Sequence, residues 1–548
     1  MSLLASRNRS KLVDKISEEA YDLVVIGGGI TGAGIALDAA TRGLKTVLVE
    51  KKDFASGTSS KSTKLIHGGL RYLKQFEIAL VREVGRERAV VHNLAPHLVK
   101  SEKMVLPLIK DGSFGRMLTS FGLMVYDVLA GVEKEDQRKM LTREETLELV
   151  PAIREDLLEG GGIYAEYRTD DARLTMEILK TAVQFGADVI NYAEATEFIY
   201  TDGKISGLTW KDHLTGEERQ LKARYTISAA GPWVDQLRKK NQSLQGKYLH
   251  PTKGVHIVVP RERFPIRHSL YFDVPDGRMI FAVPRDRTTY IGTTDTDYHG
   301  DLDDVRADLQ DVQYLIDGVN HIFPSVDLKV ADIESTWAGL RPLIEEEGKS
   351  ASELSRKDEI FESETGLLSI AGGKLTGYRK MAERILDRLA EKLKSEFDED
   401  LKPCQTENAV LVGGVFAGKK DVNKYREKVI EKLMALDPTL GDYAEYLVSN
   451  YGRQTSDIMR SIKTGDHSPE VALVLAELEF CLENESTYTL LDFYERRTGR
   501  LYFNMGSIDR TREHIEQRMA LFFNWSAEKQ KEERDSLDHA IKISSQFE

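Results

Sequence analysis

The sequence predicts an α/β protein: a discontinuous Rossmann-like dinucleotide-binding domain, interleaved with a mostly antiparallel sheet domain and followed by an all-helical C-terminal domain. Three observations carry that prediction. The stretch from Tyr21 to Glu50 reads strand, glycine turn, helix, strand, acid, in the order a dinucleotide-binding unit requires. Two later apolar strands run into glycine turns of their own, at 225–233 and 367–376. Beyond Pro403 the pattern is helical and charged to the end, with few strand signals.

Within the first unit, Leu23 to Ile26 is wholly apolar, as a strand buried on both faces is. Gly27, Gly29 and Gly32 fill the G-x-G-x-x-G positions around Ile30 and Thr31. The first glycine makes the tight turn, the second lets backbone approach a pyrophosphate, and the third lets helix and strand pack closely. The helix start offers N–H groups to phosphate. Glu50 follows roughly 20 residues after the last glycine, where an acid accepts hydrogen bonds from ribose hydroxyls.

Composition bounds the rest. A chain of 548 residues, 41% hydrophobic and 30% charged, reads as a globular protein of two or three domains. A formal net charge of −13 argues against a nucleic-acid partner. Cys404 and Cys481 are the only cysteines and form no C-x-x-C, so neither a disulfide framework nor a metal site is expected, as in a reducing cytosol. Residues 1–19 lack the apolar core of a signal peptide, and no apolar run approaches the ~20 residues that span a bilayer. The expected location is the cytoplasm or a membrane surface.

Taken in order, residues 1–19 form a basic leader with Arg7, Arg9, Lys11 and Lys15 and a weak helical pattern from Leu12 to Ile16. It is read as solvated, with a basic foot on an anionic membrane as the alternative. After Glu50, the hydroxyl-rich loop from Ser56 to Lys64 has the small donors that suit phosphate or ribitol oxygens. Glu77 to Leu98 reads as an amphipathic helix. Met117 to Gly131 is unusually apolar; buried core is the favoured reading and a membrane-surface element the alternative. Asp170 or Asp171 can cap a helix that runs to Phe185 and ends at Gly186, before a strand over 188–192. Short alternating runs from Tyr248 to Thr294 predict the antiparallel sheet. Residues 295–301 have the outward pattern of a calcium loop, but His299 and Arg306 stand where ligands are needed, so that reading is rejected. A long helix is predicted from Tyr378 to Phe397.

Three widely separated glycine turns suit a long ligand such as FAD. The Gly372-Gly373 turn before a helix faces anionic charge, and Lys374 could help stabilise the charge that reduced flavin gathers near N1 and C2=O. The stretches VVIGGGITGAGIALDAATRG, TSSKSTKLIHGGLRYL, DDARL, AAGPWVD, KGVHIVVP, IGTTDTDY, AGLRPL and AGGKLTGYRKMAE resemble those of FAD-dependent, respiratory glycerol-3-phosphate dehydrogenases of the D-amino-acid-oxidase superfamily. The helical tail, with Tyr451-Gly452 and Glu495-Arg-Arg-Thr498, is similar to that family's C-terminal domain.

The resemblance implies oxidation of sn-glycerol 3-phosphate to dihydroxyacetone phosphate, with hydride passing to noncovalent FAD and electrons to a membrane quinone. It implies a peripheral protein on the inner face of the plasma membrane, allows a homodimer, and gives no expectation of calcium control. By motif position it places Arg71, Tyr72, His256, Arg341 and Lys374 beside the substrate, with Arg356 in less distinctive surroundings. His256, Arg341 and Lys374 form the expected catalytic set. Arginine suits phosphate by its fork, and histidine titrates near working pH. Cofactor contacts are expected at Gly27, Gly29, Ile30, Thr31, Gly32, Glu50 and Lys51, and at Thr58, Ser59, Ser62, Lys64, Leu65, His67, Gly68 and Gly69. Further contacts are expected at Ala195, Ala230, Gly231, Trp233, Gly292, Gly373, Lys374, Leu375 and Thr376.

The expected domains are the 1–19 leader, a 20–390 body and a 391–548 helical domain. Within the body, 20–100, 160–245 and 335–390 are allotted to FAD, and 101–159 and 246–334 to substrate. Three rivals remain at this stage: a glycerol-3-phosphate oxidase that uses oxygen, an FAD-bearing RNA-modification or RNA-binding protein, and a flavin fold kept as an assembly module.

Overall fold

A computed structural model describes residues 4–66, 78–110, 112–113, 137–345, 357–465 and 467–547. Its first sheet is built on Ala20–Ile26, which pairs in parallel with Thr46–Val49 on one side and Glu218–Ser228 on the other. Asp188–Ile190 and Leu367–Gly372 extend the parallel order outward, and Asp358–Glu362 adds an antiparallel edge. The first half of Glu218–Ser228 instead joins Lys204–Asp212 and Ala193–Thr201 in an antiparallel meander.

Side chains alternate along Ala20–Ile26, as a strand dictates. Leu23 and Val25 enter one core with the helices Ile30–Arg42, Asp171–Gln184 and Tyr378–Phe397. Val24 and Ile26 enter another on the opposite face. Asp170 caps Asp171–Gln184 by accepting from Arg173 N at 3.1 Å, and Gly186 takes φ +99° beyond its end. Both the cap and the helix Tyr378–Phe397 are where the sequence predicts them.

The leader corrects the sequence reading. Residues Arg9–Glu18 form a helix whose Leu12, Val13 and Ile16 are buried against the sheet with Val24 and Ile26. Its basic residues are not a free foot: Arg9 pairs with Asp212 at 2.9 Å, Lys15 with Asp188 at 2.7 Å, and Arg7 with Glu483. Three apolar residues on one helical face outweigh the charges around them, because Arg9 and Lys15 find partners on the sheet's strands and Arg7 on a C-terminal helix.

The second sheet is mostly antiparallel, as predicted. Leu249–Pro260 pairs with Thr288–Gly292, Thr296–Asp297 and Ser335–Ile344. Met279–Arg285 and Ser269–Asp273 carry the sheet to Lys100–Ile109, Leu158–Arg168 and Leu65–Ile66. Within this sheet only the pair Ser269–Asp273 with Lys100–Ile109 is parallel among the described strands. Three strands allotted wholly or mostly to FAD parts, Leu65–Ile66, Leu158–Arg168 and Ser335–Ile344, belong here; each pairs with a strand of this sheet, and that pairing decides their place.

After Gly372 the described residues contain no further strand. The helices Lys419–Leu436, Ala444–Tyr451, Pro469–Asn484, Met505–Phe523 and Ala527–Ser545 close over the second sheet. Tyr502 and Phe503 share a core with Val258, Tyr290 and Trp337. No described helix is long and apolar enough to cross a membrane. The apolar stretch 117–131 lies outside the described residues.

Candidate functional site

The C-terminal ends of the parallel strands open onto one cleft, the place where open α/β sheets receive ligands. It encloses about 1420 Å³, part of it solvent at the mouth, and runs past Ile26, Val49, Ala229 and Gly372. Backbone forms most of its floor. Gly27 takes φ +113°, and a Cβ there would sit 2.6 Å from Ala229 O. A Cβ on Gly32 would lie 1.9 Å from Gly27 O, so only glycine lets the helix approach the turn. Gly372 and Gly373 repeat the device at φ +77° and +75°.

Glu50 lies at the end of the second strand. Its carboxylate accepts from Gly28 N at 2.7 Å and Lys52 N at 2.8 Å, leaving one lone pair per oxygen for a ligand's hydroxyls. Burial lifts its pKa above the ordinary value against the pull of those two amides and Lys51. At the rim, Lys51 Nζ stands 4.3 Å over the Trp233 ring and 2.8 Å from Asp303.

The hydroxyl loop is tied down. Ser59 Oγ accepts from Ile30 N at 2.8 Å and so caps the glycine-turn helix, whose N-cap residue Gly29 has no side chain to do it. Thr58 Oγ1 donates to Leu340 O at 2.6 Å, and Ser62 Oγ to Asp171 at 2.7 Å. In contrast, the buried Trp233 Nε1 and Thr376 Oγ1 have no protein partner among the described residues. Buried polar atoms of that kind call for a polar ligand. Glycine floor, helix N-terminus, acid and unfilled donors together fit FAD.

Next to the cleft, the second sheet supplies side chains. His256, Gly292 and Trp337 stand in register on three neighbouring strands. The imidazole lies on Gly292, where a Cβ would be 2.1 Å from His256 Cδ2, and stacks on Trp337 at 4.8 Å and 12°. His256 Nε2 is 2.9 Å from Thr63 Oγ1, while Nδ1 has no partner among the described residues. Burial first, then the charges of Arg341 and Lys64, push its pKa well below the ordinary value and keep the ring neutral. Arg341 lies across Gly254, whose Cβ would meet Nη2 at 2.4 Å. It donates to Asp295 at 3.1 Å and to Thr293 Oγ1 at 3.0 Å. Its neighbour Pro342 and Thr63's neighbour Ser62 are on the cleft wall.

Of the expected residues, Gly27, Gly29, Ile30, Thr31, Glu50, Lys51, Thr58, Ser59, Ser62, Ala195, Ala230, Gly231, Trp233, Gly373, Lys374 and Leu375 line the cleft. Gly32 underlies it. Lys64 does not reach it: its ammonium is buried, 2.5 Å from Asp171 and 2.9 Å from Ser60 O, since a charge removed from water needs a counter-charge. Leu65 is in the core shared with the helical domain, Gly292 lies against His256, and Thr376 stands one residue beyond the wall. His67, Gly68, Gly69, Arg71, Tyr72 and Arg356 lie outside the described residues. The sequence reading missed Thr63, Trp337 and Asp295, which orient His256 and Arg341. Trp337 carried a signal, because an even spacing from Arg341 along one strand puts both on one face.

The profile of the family described as FAD dependent oxidoreductase matches residues 22–379, and that described as the C-terminal domain of alpha-glycerophosphate oxidase matches residues 404–530. The chain is 47% identical over 541 residues to the aerobic glycerol-3-phosphate dehydrogenase of Bacillus subtilis (strain 168), covering 98% of this chain and 97% of that protein. To the protein of the same name from Staphylococcus haemolyticus it is 46% identical over 542 residues, with coverage of 98% and 97%. The X-ray structure of the glycerol-3-phosphate dehydrogenase from Bacillus halodurans complexed with FAD superposes with a TM-score of 0.85 at 42% identity, covering 100% of this chain and 99% of that one.

Proposed function

The chain belongs to the FAD-dependent oxidoreductase family, and from that premise we propose that it oxidises sn-glycerol 3-phosphate to dihydroxyacetone phosphate and hands the electrons to a membrane quinone. One observation carries the substrate reading: a neutral buried imidazole and an oriented guanidinium stand together beside the FAD cleft, as a secondary alcohol bearing a phosphate requires. Near-full-length relatives named for this substrate support it.

The residues divide the work. The turns at Gly27–Gly32, 229–233 and 372–375, with Glu50, hold the cofactor, which supplies the hydride acceptor when bound. Arg341, fixed by Asp295 and Thr293, offers its charge to the phosphate, with Lys374 at the cleft wall and Arg71, Tyr72 and Arg356 assigned to the same end by resemblance. His256 donates from Nε2 to Thr63 and takes the C2 hydroxyl proton at Nδ1. Its low pKa keeps that lone pair open at neutral pH.

The test is anaerobic. Glycerol 3-phosphate should bleach the flavin band at about 450 nm, and glycerol should not. A fully loaded protein that stays yellow with the phosphate ester would sink the substrate reading. For the acceptor, the dehydrogenase names of the relatives support a quinone over oxygen, and a peripheral place on the inner membrane face goes with it. A reduced enzyme reoxidised as fast by oxygen as by a soluble quinone would favour the oxidase reading instead. A homodimer is the expected assembly, checked by light scattering.

A further inference from the structure

Glu50 begins a turn, residues 50–55, that its own sheet holds only in part. Phe54 packs on Gly28, where a Cβ would be 2.8 Å away, and Ala55 N donates to Gly28 O at 3.0 Å. Just before them Asp53, 1% exposed, turns toward the helical domain. One oxygen receives Arg497 Nη1 at 2.7 Å and Arg496 Nε at 2.5 Å. The other receives Arg497 Nη2 and Asn191 Nδ2, both at 2.8 Å. The arginines are held in turn: Arg497 Nε donates to Glu485 O at 3.0 Å, and Arg496 reaches Asp492 at 2.9 Å.

A second strand of the same connection runs through Lys52. Its N–H donates to Glu50, its carbonyl accepts from Tyr192 N at 2.8 Å, and Tyr192 OH donates to Asp492 at 2.6 Å. The cofactor acid is therefore braced twice by one turn of the helical domain, Asp492–Arg497. Cohesion between the parallel-sheet domain and the helical domain alone does not call for this, because Arg173 and Lys180 of the helix Asp171–Gln184 already pair with Glu485 at 2.6 and 2.8 Å. Burial favours a neutral Asp53, but Arg497 and Arg496 prevail and hold its pKa down at about 2.

We propose that Arg496 and Arg497 are positioning residues of the FAD site: by fixing Asp53 they fix the 50–55 turn, and with it the Glu50 carboxylate that receives the cofactor's ribose hydroxyls. The inference rests on the FAD cofactor and not on the identity of substrate or acceptor.

The experiment uses full-length apoprotein carrying Arg497→Lys, which keeps a charge but loses the two-pronged fork. The FAD dissociation constant is read from flavin fluorescence, and amide hydrogen exchange is followed across 27–55 and 470–484. The expected result is an FAD dissociation constant raised about tenfold or more, with faster exchange in 27–55 and unchanged exchange in 470–484. Arg496→Lys, which leaves the Arg497 fork on Asp53, should give a smaller rise and serves if the first variant does not fold. A dissociation constant within twofold of wild type in a folded variant overturns the proposal, whatever happens to thermal stability. Wild-type protein that binds FAD but is not bleached by glycerol 3-phosphate would end the substrate reading while this one is still decided by the variants.

Discussion

The parallel-sheet wall of the cleft presents backbone at Gly27, Gly29, Gly231 and Gly373, whereas the second sheet presents His256, Trp337 and Arg341 on long strands. Glycine serves both the cleft wall and the side-chain cluster beside it, which acts as a second wall, but for different neighbours. Gly32 faces a carbonyl that is itself part of the turn; Gly254 faces the far end of a side chain that can swing away. The first wall therefore depends on shape and the second on charge and protonation. The same one-carbon change should have unlike consequences in the two places.

The most general effect, loss of the cofactor on which every turnover depends, is expected on the first wall. Gly32→Ala places a carbon 1.9 Å from Gly27 O, and the turn cannot yield without losing its form. Purified protein should lose its flavin by about tenfold or more, read as absorbance at about 450 nm per chain. A fully yellow variant would break the comparison at its first term.

On the second wall, His256→Gln should leave flavin content intact and slow anaerobic reduction by about a hundredfold or more. The wild-type pH profile sharpens this. Since the folded pKa lies below the ordinary 6.5, His256 is the neutral base throughout the range above 6.5, and the rate should decline only on the acid side. The unfolded chain binds that proton more readily, so the stability linked to His256 is full above about 6.5 and lost as pH falls. An acid limb centred above 7 would contradict the assignment.

Gly254→Ala gives the smallest effect of the three. The guanidinium of Arg341 must shift by more than an ångström, yet the strand can stay in register. The expected outcome is normal flavin and a KM for glycerol 3-phosphate raised roughly tenfold, about 1.4 kcal/mol, with a lesser change in kcat. Loss of flavin here would show that the two walls are not separable.

The same division explains what could be read from residues. Gly27, Gly32 and the Asp170 cap are local: their reasons lie within a few positions of themselves, so spacing exposes them. Tyr378–Phe397 is legible because a periodic face repeats over five turns. Ser59 was expected to meet the cofactor, and it lines the cleft, but its cap on Ile30 comes from a loop nearly thirty positions away in sequence. Lys64 was expected at the cofactor by resemblance; the partner that takes its charge instead, Asp171, is over a hundred positions away and meets it only after folding. The leader was misread for a related reason. Its three apolar residues look weak until a sheet face offers them a place. Asp53 and Arg496-Arg497 show no local sign of one another at all.

Those last contacts also set an order of events. Arg497 and Asp53 are 444 positions apart, and Ser486 and Leu4, joined by a hydrogen bond, are 482 apart. On a ribosome adding about 5–20 residues per second, the glycine turn emerges about 20–90 s before the arginines that steady its acid. During that interval the nascent sheet has its phosphate-binding turn but not its brace. On the proposal above, the cofactor acid is held from both sides only once the helical domain has docked.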